Sequence, residues 1–110
     1  MPDKQIKDVY TFLNAVSNKQ NLLLNPDADH VESIAEGLME MYNSLGYYCC
    51  PCREAWGERE KDRDICCPCD YCKDDIEEFG QCYCGLFISE ISRNRELGSI
   101  PDRRDEDLYP

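Results

Sequence analysis

The sequence predicts a small, mainly α domain, α+β at most, wrapped around a centre that gathers cysteine sulfurs. Three observations carry this expectation. Two segments before residue 46 repeat apolar residues at helical spacing, the apolar runs Leu22-Leu23-Leu24 and Leu86-Phe87-Ile88 are short, and all nine cysteines fall between Cys49 and Cys84. At 110 residues, 1–110 is read as a single domain with a modest core. A chain of this size buries roughly two-thirds of its unfolded surface, so a metal centre would usefully supplement the apolar packing.

Residues 3–17 read as the first helix, with Ile6, Val9, Tyr10, Leu13 and Val16 on one stripe and Lys4, Lys7 and Asp8 outside it. The second helix is expected to start at Asn25-Pro26, an N-cap followed by proline at the first helical position, or at the capping pair Asp29 and Glu32. Val31, Ile34, Ala35, Leu38, Met39, Tyr42 and Leu45 continue it to Gly46, a natural C-terminal stop. Both helices are read as a lid over the cysteine region. His30, the lone histidine, falls in the first turn of this helix and is read as a surface residue.

Residues 53–64 are densely charged around the lone Trp56 and read as a short solvent-facing helix with internal ion pairs, Trp56 being its packing anchor. Asp74 to Phe79 reads as one or two helical turns stopped by Gly80, with Ile76 and Phe79 turned inward. Residues 98–110 read as an acidic tail, loosely ordered.

A net charge of −11 argues against nucleic acid as a partner, since phosphate binding needs a basic surface. No apolar run approaches the roughly 18 residues of a membrane span, and Met1-Pro2-Asp3-Lys4-Gln5 opens without a signal-peptide core. A reducing, cytoplasmic location is therefore expected. Cysteines clustered in such a compartment point to metal or redox chemistry, and an odd count suits a fully paired disulfide framework poorly.

The cysteines come as Cys49-Cys50-Pro51-Cys52, Cys66-Cys67-Pro68-Cys69-Asp70-Tyr71-Cys72 and Cys82-Tyr83-Cys84. Such grouping requires a metal, an iron–sulfur cluster or disulfides to draw the sulfurs together. Structural zinc favours cysteine pairs two to four residues apart, a spacing met only by Cys69 and Cys72. Four thiolates can hold a [4Fe–4S] cluster instead, although the usual ferredoxin run is absent. The three Cys-x-Cys units hold six sulfurs, two more than a cluster needs. Two thiols beside a cluster can form a disulfide that the cluster reduces.

Cys50-Pro51-Cys52-Arg53, Cys67-Pro68-Cys69 and Cys82-Tyr83-Cys84-Gly85-Leu86-Phe87, in that order, resemble the catalytic (β) chain of ferredoxin:thioredoxin reductase, in a prokaryotic form. Asn25-Pro26 and the Ala35-Glu36-Gly37-Leu38 helix leading to Gly46-Tyr47 belong to the same likeness, which covers roughly residues 5–90. The resemblance implies a [4Fe–4S] cluster on Cys50, Cys67, Cys69 and Cys82, and a redox-active disulfide between Cys52 and Cys84. It implies a ferredoxin-type electron donor and a thioredoxin-like or other disulfide protein as acceptor, with room for a small partner subunit. Cys52 would attack the partner's disulfide and Cys84 would resolve the mixed disulfide. From plant-type ferredoxin to thioredoxin the potential rises by roughly 130 mV, worth about 6 kcal/mol for two electrons. The competing readings are a structural zinc-binding interaction domain and a non-catalytic iron–sulfur electron carrier.

Three departures from the family pattern stand out. Tyr83 replaces the histidine of the chloroplast motif and so removes a group that titrates near neutrality. The spacers between motifs differ in length from the chloroplast form. Cys49, Cys66 and Cys72 are surplus, read as solvent-accessible bystanders or as a second dithiol. Arg53, Tyr83 and Cys72 are auxiliary candidates, Arg53 either lowering the pKa of the adjacent Cys52 or forming a surface ion pair.

Overall fold

The computed structural model describes residues 3–92, 98–104 and 107. Helix α1 spans Ile6–Gln20. It begins later than the stripe suggested because the Gln5 N–H bonds the Asp8 carboxylate at 2.9 Å, and it ends where Asn21 turns left-handed at φ 57°. Helix α2 spans Ala28–Leu45. Its cap is Asp27, whose carboxylate accepts the His30 N–H at 3.2 Å, and not Asn25 or the Asp29 pair. Asn25 is drawn away by a pairing further along the chain. Its N–H donates to Leu86 O at 2.8 Å and its side-chain amide to Gly85 O at 2.7 Å.

That pairing extends a two-stranded antiparallel sheet, β1 (Leu23–Leu24) against β2 (Phe87–Ile88), with Leu23 opposite Ile88 and Leu24 opposite Phe87. Both short apolar runs are therefore strands, each too short to declare itself by periodicity. Helices α1 and α2 bury Val9, Leu13, Val16, Val31, Ile34, Ala35 and Leu38 in one core, which continues through Leu86 and Phe87 to Cys72 and Cys82. The helix pair thus packs on the cysteine region through the small sheet.

Residues 53–64 do not form the expected α-helix; only a single 3-10 turn, Arg63–Ile65, closes the segment. Asp62 is the cause. Fully buried, it accepts the N–H groups of Trp56 at 2.8 Å and Gly57 at 3.0 Å and the Tyr47 hydroxyl at 2.6 Å. Gly57 sits at φ 82°, a conformation that breaks a helix. The exposed pairs Lys61–Glu58 and Arg63–Glu60 form nonetheless, at 3.3 and 3.4 Å. Trp56 is not a packing anchor: it is 39% exposed, with Lys61 over its ring.

Helix α3 spans Cys72–Phe79 and stops at Gly80. Its inward residues are Cys72 and Asp75, with Ile76 half-buried beside them. Phe79 instead faces outward, 37% exposed under Arg103, because the inner face is committed to Asp75. That carboxylate takes ion pairs from Arg53 at 3.3 Å and Arg103 at 2.5 Å. In the C-terminal segment Arg104 is buried against Asp64 at 3.1 Å and donates to Glu54 O at 2.8 Å. The rest of the expected loose tail, residues 105–106 and 108–110, lies outside the described residues. Among the described residues no helix is long and apolar enough to cross a membrane.

Candidate redox site

Each cysteine motif is held by a different contact. The first, Cys50-Pro51-Cys52, lies directly on α2 at Gly37, where an added Cβ would fall 2.8 Å from Pro51 Cβ. The first two motifs are tied by an antiparallel bridge between Cys49 and Cys66, closed by Cys50 N–H to Ile65 O at 2.9 Å and Cys67 N–H to Tyr48 O at 2.7 Å. The second motif runs into α3 through the Cys72 N–H, which donates to Cys69 O at 3.0 Å. The third is a turn closed by Gly85 N–H to Cys82 O at 2.9 Å and by Cys82 N–H to Phe87 O at 2.9 Å. Gly85 is required there. It sits at φ 74°, and an added Cβ would lie 2.9 Å from His30 Nε2.

These contacts bring six sulfurs together. Cys50, Cys67, Cys69, Cys72, Cys82 and Cys84 line one apolar cavity with Leu86 and Phe87. Cys84 sits at its junction. Its sulfur lies 3.7 Å from that of Cys82, and it lines this cavity with Cys50 and the neighbouring surface cavity with Cys52. Cys52 is the exposed cysteine among the described residues, whereas Cys84 is half-buried. Cys52 and Cys84 together open onto a surface cavity of about 550 Å³ that Asn25, His30 and Tyr83 also line.

The electrostatics follow from this crowding. Hydrogen bonds first with the Cys50 thiol, then with Cys84, hold Cys52 well below the usual thiol range, with a weaker pull from His30. Cys82 is likewise drawn down, first by Cys72, then by Cys84 and the backbone N–H of Phe87, which reaches its sulfur at 3.3 Å. Burial pushes the Cys67 and Cys69 thiols up; Arg53 opposes it at Cys69.

Two expectations need correction here. Arg53 is not a surface residue: it is 5% exposed and ion-paired to Asp75 and Asp102. Its guanidinium lies over Tyr83 at 4.4 Å and Tyr71 at 5.0 Å, and its charge faces Cys69 and Cys50 while Cys52 is governed by its sulfur neighbours. The surplus cysteines are not solvent-accessible as a group, since Cys49 and Cys72 are buried and Cys66 is half-buried. Cys72 in fact lines the same cavity as Cys82.

One contact was missed altogether. His30 Nε2 lies 2.7 Å from the Cys84 carbonyl oxygen, so the residue read as surface is part of the third motif's frame. Only the alignment of α2 over the third motif reveals it; the partners are 54 residues apart in the chain.

Among the described residues, no three or more His, Cys, Asp or Glu side chains converge tightly enough to hold a single metal ion. The donor chemistry suits an iron–sulfur cluster: several thiols in an apolar cavity, one already accepting a backbone N–H. No curated protein matches the chain. A family model described as ferredoxin thioredoxin reductase catalytic beta chain matches residues 2–100. The chain belongs to that family.

Proposed function

We propose that this member of the ferredoxin thioredoxin reductase catalytic beta chain family is a disulfide reductase whose working pair is Cys52 and Cys84. The observation that supports it is the position of Cys84: its sulfur lies 3.7 Å from that of Cys82, and it lines the surface cavity that the exposed Cys52 also lines. Cys50, Cys67, Cys69 and Cys82 would hold a [4Fe–4S] cluster, which when bound supplies one-electron steps beside that pair.

In the reduced pair, the exposed Cys52 thiolate attacks one sulfur of a thioredoxin-like protein's disulfide. The partner's disulfide breaks, a mixed disulfide forms, and the partner's second sulfur leaves as a thiolate. Cys84 then attacks the Cys52 sulfur. The partner departs as a dithiol, and Cys52–Cys84 remains as a disulfide to be reduced by two electrons from a ferredoxin-type donor. In the reduced pair the Cys84 thiol beside it favours the Cys52 thiolate, the species that reacts. His30, through the Cys84 carbonyl, fixes the backbone that carries the resolving sulfur. A reducing cytoplasm would keep the remaining thiols free.

The test is anaerobic purification followed by two assays. The protein should carry about four iron and four sulfide per chain and should pass electrons from a reduced ferredoxin to a thioredoxin disulfide. Zinc in place of iron, or iron without disulfide reduction, would overturn the reading.

A further inference from the structure

Cys49 and Cys66 stand opposite one another across the bridge that joins the first two motifs. The hydrogen bonds Cys50 N–H to Ile65 O and Cys67 N–H to Tyr48 O flank them, which makes this the non-hydrogen-bonded pair of an antiparallel ladder. In such pairs the Cα atoms lie about 4.5 Å apart and the Cβ atoms about 4.5–5.5 Å. A disulfide needs Cα atoms roughly 4.4–6.8 Å apart and Cβ atoms about 3.5–4.5 Å apart. A small approach of the side chains therefore suffices, with no change of fold.

Neither sulfur of the pair lines the cysteine cavity, although Cys50 belongs to the same apolar cluster and Cys84 packs against it. Cys49 is fully buried in a second apolar cluster with Tyr47 and Ile65, and Cys66 packs against it. Both thiols are free. Cys66 is half-buried with its Sγ donating to Asp62 O at 3.5 Å, so it is the sulfur an external reagent reaches, and Cys49 is the one waiting behind it. The half-buried position suits a small reagent better than a protein surface.

We propose that Cys49 and Cys66 form a second dithiol–disulfide couple, which exchanges with low-molecular-weight thiols and disulfides and is independent of Cys52 and Cys84. In the oxidising direction the Cys66 thiolate attacks one sulfur of a small disulfide, forming a mixed disulfide and releasing one small thiol. Cys49 attacks the Cys66 sulfur, closing Cys49–Cys66 and releasing the second small thiol. Two protein thiols are oxidised and one small disulfide is reduced to two thiols. The closed form staples the segment carrying Cys50 to the segment carrying Cys67, so the state of this couple sets how rigidly those two residues are held together.

The test equilibrates the full-length, iron-loaded protein anaerobically with reduced and oxidised glutathione at a series of ratios. Free thiols are then trapped by alkylation. Trypsin cuts after Arg53 and Arg63 separate the two cysteines, and fragmentation assigns each sulfur. Cys49 and Cys66 should lose label together in one transition governed by [GSH]²/[GSSG], yielding a Cys49–Cys66 linked peptide. The Cys52→Ser/Cys84→Ser double variant should give the same transition, which keeps this inference distinct from the reductase reading. Cys66→Ser should leave Cys49 fully alkylated after denaturation at every ratio. Glutathione held on Cys66 with Cys49 still a thiol, or either sulfur linked to another cysteine, would overturn the proposal.

Discussion

The sulfur of Cys84 stands 3.7 Å from that of Cys82, and Cys84 lines the same surface cavity as Cys52. One side chain therefore links a proposed cluster ligand to the cavity that holds the exposed cysteine of the proposed redox pair. Cys52→Ser and Cys84→Ser should each retain iron and abolish disulfide reduction. Cys84→Ser should in addition accumulate a mixed disulfide between Cys52 and a thioredoxin-like partner, because the resolving sulfur is gone. Non-reducing electrophoresis and peptide mapping would read this, and a mixed disulfide on any other cysteine would remove Cys52 from the attacking role.

Cys72 provides the sharpest check on the ligand set, since it lines the same cavity as the four proposed ligands. Serine at Cys50, Cys67, Cys69 or Cys82 should degrade the cluster and lower stability with it. Cys72→Ser should keep iron and sulfide at the level of the unsubstituted protein. Iron lost from Cys72→Ser but retained in one of the four others would move Cys72 into the ligand set.

Much of this frame could be read from the chain itself, and the failures share a cause. The α2 stripe from Val31 to Leu45 and its stop at Gly46 record a local rule, helical periodicity with a terminating glycine, and the helix runs Ala28–Leu45. The three Cys-x-Cys units advertise a common destination, and the cavity gathers members of all three. What stayed hidden depends on partners distant in sequence. Arg53 looks like one more surface charge until Asp75 and Asp102 reach it from α3 and the C-terminal segment. His30 looks idle until the third motif brings the Cys84 carbonyl beneath it. Residues 53–64 carry helix-like ion pairs, yet the buried Asp62 carboxylate takes the backbone N–H groups that a helix would use.

Arg53 should therefore matter for stability more than its sequence neighbourhood implies. Its side chain is buried with Asp75, and its Nε has no hydrogen-bond partner among the described residues. Removing one member of a buried ion pair typically costs about 3–5 kcal/mol. Arg53→Met should approach that loss, and Arg53→Lys should recover only part of it, because a single ammonium cannot serve Asp75 and Asp102 from one planar fork. Anaerobic denaturant unfolding measures this; a loss within about 1 kcal/mol, the range of an exposed pair, would contradict the burial argument.

Gly85 tests the contact between α2 and the third motif. Placing a non-glycine residue at φ 74° costs about 1–3 kcal/mol, and the alanine Cβ would also press on His30 Nε2 at 2.9 Å. Gly85→Ala should be destabilising, and adding His30→Ala should recover the steric share while the backbone share persists. Strict additivity of the two substitutions would show that the ring and the turn are not in contact.

Docking of an acidic ferredoxin should be weakly opposed by the field of this chain, which has 23 acidic and 12 basic residues. The basic residues Arg53, Arg59, Lys61 and Arg63 offer a thinner positive surface than their number suggests. Arg53 is buried, and Lys61 and Arg63 are paired with Glu58 and Glu60. Stopped-flow reduction by an acidic ferredoxin should speed up or stay flat as salt rises, in contrast to an electrostatically steered pair, which slows. A steep fall with salt would reveal a basic docking patch strong enough to override the net charge.

The most direct test of the redox pair is differential alkylation of the iron-loaded protein before and after reduction, resolved cysteine by cysteine. Before reduction Cys52 and Cys84 should both be protected and linked to each other. After two electrons from a ferredoxin-type donor both should be alkylated, Cys52 first because it is the exposed thiol. Free, equally reactive Cys52 and Cys84 before reduction, with no change after it, would contradict the assignment of this pair as the site of disulfide exchange.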